Sequence, residues 1–93
     1  MKKILFILTC LMVSVAMMAS ITVTGTVISA EDGLPVIGAS VLEKGTSNGT
    51  ITDFDGMYEL TVADDAVLVF SYVGLTSQEL KVSGSVMNVT LKG

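Results

Sequence analysis

Between Ile21 and Leu91 apolar and polar residues alternate in short runs, and no window keeps the 3.6-residue period of a helix. This pattern restricts the chain to β architecture. In residues 21–28, Ile21, Val23 and Val27 fall on one face and Thr22, Thr24 and Thr26 on the other. Period-two alternation of β-branched residues predicts a strand. Glu31-Asp32-Gly33-Leu34-Pro35 breaks it, because Gly33 tolerates positive φ and Pro35 has no amide for a central ladder. Residues 36–43 predict a second strand, with Gly38 marking a bulge or a close backbone approach. Residues 44–49 are a polar, glycine-rich loop, and residues 50–52 a short third strand. Asp53-Phe54-Asp55-Gly56 is a turn. Residues 57–62 then alternate with Tyr58, Leu60 and Val62 on the buried side.

Residues 66–73 are apolar on both faces, which predicts a central strand covered on both sides. Gly74 ends or bends it. Residues 75–82 form a more polar strand, and residues 86–91 close the domain with Met87, Val89 and Leu91 inward. Six or seven short strands with regular turn signals predict an all-β fold, a small sandwich or barrel.

The leading residues have a different character. Lys2 and Lys3 form a basic start, and residues 4–19 are apolar apart from Thr9, Cys10 and Ser14. Small residues follow at Ala19-Ser20. This is the anatomy of a secretory signal peptide. The competing reading is an uncleaved anchor, but the run is shorter than the roughly 20 apolar residues a span requires. The expected organisation is a signal peptide over 1–19 and one domain over 20–93, cut after Ala19 or Ser20. Met17 fits the −3 position of that cut poorly. Cys10 is the only cysteine. Ile7-Leu8-Thr9 before it loosely resembles a lipid-attachment motif, but Thr9 is large for its position and the apolar run continues beyond. Cys10 reads as an ordinary residue of the apolar run, leaving the mature domain without disulfide or thiol chemistry.

Cleavage would take the net charge from −4 to −6, with three lysines left against nine carboxylates and no arginine anywhere. Such a surface argues against nucleic acid and anionic lipid as partners, and no membrane-embedded segment is expected after cleavage. The chain has no histidine. That excludes Ser-His and Cys-His catalysis and removes the commonest zinc ligand. Carboxylates alone would have to converge in a concave site, and here they sit mostly beside turn glycines. No catalytic, cofactor-binding or metal residue is expected. Asp53-Phe54-Asp55-Gly56 resembles the opening of a calcium loop, but the twelfth position is Asp64 and a strand intervenes, so a β-turn is the better reading. Asn48-Gly49-Thr50 and Asn88-Val89-Thr90 match the glycosylation sequon. Tyr58, Phe70 and Tyr72 could form a sugar-stacking platform. They lie in apolar runs and read as core aromatics, with Tyr72 next to the Gly74 bend.

The order of these features resembles a known family. Residues 21–28, with Asp32-Gly33-Leu34-Pro35 and Gly38-Ala39-Ser40-Val41, are similar to the opening of carboxypeptidase-regulatory-like domains. Lys44-Gly45-Thr46, Gly49-Thr50-Ile51-Thr52-Asp53 and Gly56-Met57-Tyr58-Glu59-Leu60 resemble the family's centre. Leu68-Val69-Phe70-Ser71-Tyr72-Val73-Gly74 resembles its later strand, with Leu75 standing where an aromatic is usual. The resemblance covers residues 21–91. It implies a seven-stranded, transthyretin-like (Ig-like) β-sandwich. Such domains commonly form the N-terminal extension of SusC-like TonB-dependent outer-membrane receptors of Bacteroidetes.

The resemblance implies a periplasmic, non-catalytic accessory domain. Its partner would be a periplasmic protein or the TonB-dependent transport machinery, met in part through open sheet edges. The motif residues would carry fold and not chemistry. A glycan-binding or adhesive module, binding weakly, is the alternative. No plug or barrel follows Lys92-Gly93, so the expectation is a truncated receptor or a free-standing copy of the extension.

Overall fold

A computed structural model describes residues 19–93. The signal-peptide and Cys10 readings lie outside the described residues. Seven strands follow one another: β1 Ser20–Ser29, β2 Ser40–Glu43, β3 Gly49–Ile51, β4 Met57–Ala63, β5 Val67–Ser71, β6 Gln78–Lys81 and β7 Val89–Leu91. They form two sheets, ordered β4-β1-β7 and β3-β2-β5-β6. The alternation predicts six or seven strands in a sandwich or barrel, and the all-β sandwich of seven strands that the family resemblance implies is the observed fold.

β1 organises the first sheet because it is long enough to serve two partners. Ser20 to Thr26 pair antiparallel with β4, from Ala63 back to Met57. Val27 to Ser29 pair parallel with Val89 to Leu91 of β7. In the second sheet β5 is central: Val41 faces Phe70 on one side, and Phe70 faces Gln78 on the other.

The alternation buries one face of each sheet. Val23 and Val27 of β1, Tyr58, Leu60 and Val62 of β4, and Val89 and Leu91 of β7 meet Val41, Leu68 and Phe70 of the second sheet. Across the layers the Tyr58 and Phe70 rings meet edge to face, with centroids 5.4 Å apart and planes at 70°. Such a contact adds about 1 kcal/mol beyond the area it buries. The Tyr58 hydroxyl donates to the Met87 carbonyl at 2.7 Å, so its polar end is satisfied within the core.

Burial pushes the Tyr58 phenol up to about 12 from its usual 10. The folded state thus holds a proton that the unfolded chain releases first. This contribution is complete below pH 10 and is lost as pH rises from 10 to 12. The melting temperature should fall over that window. Tyr58→Phe should flatten the part due to the phenol, and an unchanged alkaline profile in that variant would contradict the assignment.

Polar side chains stitch both long sides of the sandwich. On the β3–β4 side, Asn48 Nδ2 donates to the Thr61 carbonyl at 2.8 Å and to Glu43 Oε1 at 3.1 Å. Glu43 Oε2 accepts the Ala63 N–H at 3.1 Å. On the β6–β7 side, the Gln78 side chain donates to the Thr90 carbonyl and the Thr76 N–H donates to the Lys92 carbonyl.

Several expected strands are shorter than the sequence pattern suggests. The second begins at Ser40 and not at residue 36, because Gly38 takes φ +77° and turns the chain. A Cβ on Gly38 would meet nothing, so it is neither a bulge nor a close approach. The fifth strand stops at Ser71 and is covered on one face only. Leu68 and Phe70 are buried, while Val67 and Val69 are half-buried on the outer face of a two-layer fold. The last two strands also shorten, to Gln78–Lys81 and Val89–Leu91, although Met87 is buried as expected.

Candidate functional site

The segment between β3 and β4 shows how the motif residues are used. Thr52 is buried; its hydroxyl donates to the Val36 carbonyl and accepts the Ala39 N–H at 2.8 Å. Its backbone bonds Gly38 and Ala39 as well. One residue therefore clamps the β1–β2 loop at four points. Asp53 then closes the turn: its Oδ1 accepts the N–H groups of Asp55 and Met57, both at 2.9 Å. Gly56 completes the turn at φ +73°, packed so closely on Pro35 and the Val27 carbonyl that a side chain would not fit.

The calcium reading has no geometry behind it. Asp64 lies in the turn after β4, so the seven residues of that strand separate it from Asp53, a span of about 23 Å. Among the described residues no three Asp or Glu side chains come together as a metal site would require. Asp53→Ala should lose two turn hydrogen bonds and destabilise the domain by about 1–2 kcal/mol. Calcium titration of the parent protein should release no heat in the micromolar range. A micromolar site abolished by Asp53→Asn would overturn the structural role.

Of the sequons, Asn48 is committed to the inter-sheet stitch, and Asn88 Oδ1 accepts the Thr26 N–H at 3.0 Å. Of the three aromatics, Tyr58 and Phe70 are core residues as expected, but Tyr72 is 43% exposed. It lies one residue past β5, where the second layer no longer covers the chain. Of the four edge strands, β4 and β7 carry the stitches just described, whereas β3 and β6 are short, with three and four residues. Among the described residues no helix is long and apolar enough to cross a membrane.

The feature that remains is an apolar end. β2 starts where β3 and β5 finish, since Ser40 sits opposite both Ile51 and Ser71. The loops β1–β2, β3–β4 and β5–β6 therefore emerge together. They expose Leu34, Ile37, Phe54 (86%), Tyr72 and Val73 (91%), with Ile51 beside them. A groove of about 460 Å³ runs between Leu34, Ile37, Tyr72 and Val73. A second, of about 400 Å³, lies between Ile37, Ile51 and Phe54. Ile37 lines both, so the apolar surface is continuous. Glu31 and Asp32 border the first groove and Asp53 the second. A contiguous apolar patch with a polar rim is the mark of an interaction surface. Local sequence offered one clue to it: Leu34, Ile37, Phe54 and Val73 are large apolar residues within two residues of a turn glycine. Their convergence follows only from the topology.

Comparison with known proteins agrees with this fold. Residues 23–92 match the CarboxypepD_reg-like domain. The chain is 51% identical over 72 residues to TonB-dependent receptor P39 of Formosa agariphila, covering 75% of this chain and 7% of that protein. It is 40% identical over 91 residues to TonB-dependent receptor P3 of the same organism, covering 97% of this chain and 9% of the receptor. It is 49% identical over 72 residues to TonB-dependent receptor SusC of Bacteroides thetaiotaomicron, covering 77% of this chain and 7% of the receptor. The chain thus spans less than a tenth of each of these relatives. A family match running from the first strand to the end of the last, on a sandwich whose motif residues hold its turns and loops, places this chain in the CarboxypepD_reg-like domain family.

Proposed function

We propose that this chain is an exported, non-catalytic accessory domain of TonB-dependent nutrient uptake, acting in the periplasm or at the outer membrane through protein contacts. The observation that carries the reading is the similarity to three named TonB-dependent receptors over most of the chain. The structure supports it from the side of chemistry. Thr52, Asp53, Glu43 and Asn48, the polar residues of the motif region, are engaged in hydrogen bonds that hold loops and sheets together. The similarity to receptor P3 covers 97% of the chain and so includes most of the apolar leader. This supports reading residues 1–19 as a signal peptide of an envelope protein, with the domain over 20–93.

Protein recovered from the cell envelope should begin at Ser20 or Ile21 by N-terminal sequencing. A pull-down from envelope extract should recover a component of TonB-dependent uptake, and the binding should weaken as salt rises because the domain is acidic. The exposure of Tyr72 beside a groove favours a second reading, a glycan-binding module. A glycan array run beside the pull-down separates the two. Strong glycan binding lost in Tyr72→Ala, with no uptake component recovered, would overturn the accessory role.

A further inference from the structure

The long sides of the sandwich are protected against strand addition. Along the outer edge of β4, Met57 exchanges backbone and side-chain bonds with Asp53, Asn48 caps the Thr61 carbonyl and Glu43 caps the Ala63 N–H. Between those caps only Glu59 and the Thr61 N–H stay open. Along β7, Gln78 caps the Thr90 carbonyl and Thr76 the Lys92 carbonyl. β3 has three residues and β6 four, and β6 carries Glu79 and Lys81 outward. Short strands, charged edge residues and capped edges are the devices by which sheets avoid pairing with another chain. The apolar end has no such protection.

We infer that this end, formed by Leu34, Ile37, Phe54, Tyr72 and Val73, docks on the body of a TonB-dependent receptor, against a face with an apolar centre and a basic rim. The inference rests on the accessory role proposed above. Chain connectivity supplies the first argument. Leu91 lies opposite Ser29, and the Lys92 carbonyl is bonded to Thr76 in the β5–β6 loop, so the end of β7 lies at the border of the patch. In the receptor relatives more than nine-tenths of the protein lies outside the region that this chain matches. A body joined at the end of β7 would therefore start beside Tyr72 and Val73.

Charge supplies the second argument. Among the described residues Glu31, Asp32, Asp53 and Asp55 lie in the loops of this end, and Lys92 is the one cation there. A second copy placed end to end would bring these acidic rims together, and an anionic bilayer would meet the same repulsion. A receptor face with lysine or arginine around an apolar centre would satisfy both parts of the surface.

The test is photo-cross-linking of the full chain in its own cells, with a benzophenone side chain placed at Phe54, at Val73 or, at the opposite end, at Asp65. Adducts at positions 54 and 73 with a protein identified by mass spectrometry as a plug-and-barrel receptor, and none at 65, are the expected result. Phe54→Ser combined with Val73→Ser should lower receptor recovery about tenfold without moving the melting temperature, because both side chains are exposed. Receptor adducts confined to position 65, or undiminished recovery of the double variant, would overturn the docking face and leave the accessory role standing. Adducts of twice the chain's mass, or with lipid alone, would put a second copy or the bilayer in the receptor's place. Failure to obtain a receptor adduct at any position would remove the inference and the accessory role together.

Discussion

Gly25→Ala should abolish cooperative folding. Gly25 sits between Val23 and Val27 on the buried face of β1, and a Cβ there would overlap the Met87 carbonyl and lie 3.1 Å from the Tyr58 ring. Neither neighbour can retreat. The Met87 N–H is bonded to the Thr24 carbonyl at 2.8 Å, and its own carbonyl accepts the Tyr58 hydroxyl at 2.7 Å. Overpacking ordinarily costs about 1–3 kcal/mol where side chains can give way. Here the obstacle is backbone on an adjacent segment, so the cost should lie well above that range. A domain of this size has about 4–11 kcal/mol in total. Circular dichroism should show no sigmoidal melting in the variant. Gly84→Ala is the control, since a Cβ at Gly84 meets nothing within 4 Å. A Gly25→Ala protein melting within a few degrees of its parent would mean that β1 and the segment before β7 are not packed as described.

Phe70→Ala should have the next largest effect, a loss of about 3–5 kcal/mol. Phe70 is fully buried in β5, paired with Val41 on one side and Gln78 on the other, and its ring meets Tyr58 across the layers. Truncation removes the largest apolar group in the core together with the contact that joins the sheets. For a domain this short each 1 kcal/mol shifts the melting temperature by about 4–8 °C, so the variant should be largely unfolded at growth temperature. Phe70→Leu keeps most of the volume and should remain folded with a lowered transition. An unchanged transition in Phe70→Ala would place that ring outside the core.

These two expectations differ in how far the sequence foretells them. Phe70 was legible as a core residue because it alternates with Leu68 in an apolar run. Gly25 was not, because a glycine within a strand of β-branched residues looks the same whether its missing side chain faces solvent or a carbonyl. The aromatics divide in the same way. Tyr58 falls in register with Leu60 and Val62, and its burial follows from period two. Tyr72 also continues an apolar run, yet the second layer ends before reaching it.

The sequence by itself determined the strands, the turns between them, one buried face for β1 and β4, and the lack of histidine and arginine chemistry. These are local properties, set by alternation, by β-branching and by glycines at turns. Only the tertiary structure decided that β1 divides its length between β4 and β7, that Thr52 clamps the loop thirteen residues before it, and that Glu43 and Asn48 lace one sheet to the other. It also decided that a strand apolar on both faces would be covered on one. Period two says which residues share a face, but not which strand lies alongside or how many layers cover it. Those depend on contacts between residues far apart in the chain, and the same topology brings Leu34, Ile37, Phe54, Tyr72 and Val73, from three separate loops, to one apolar end.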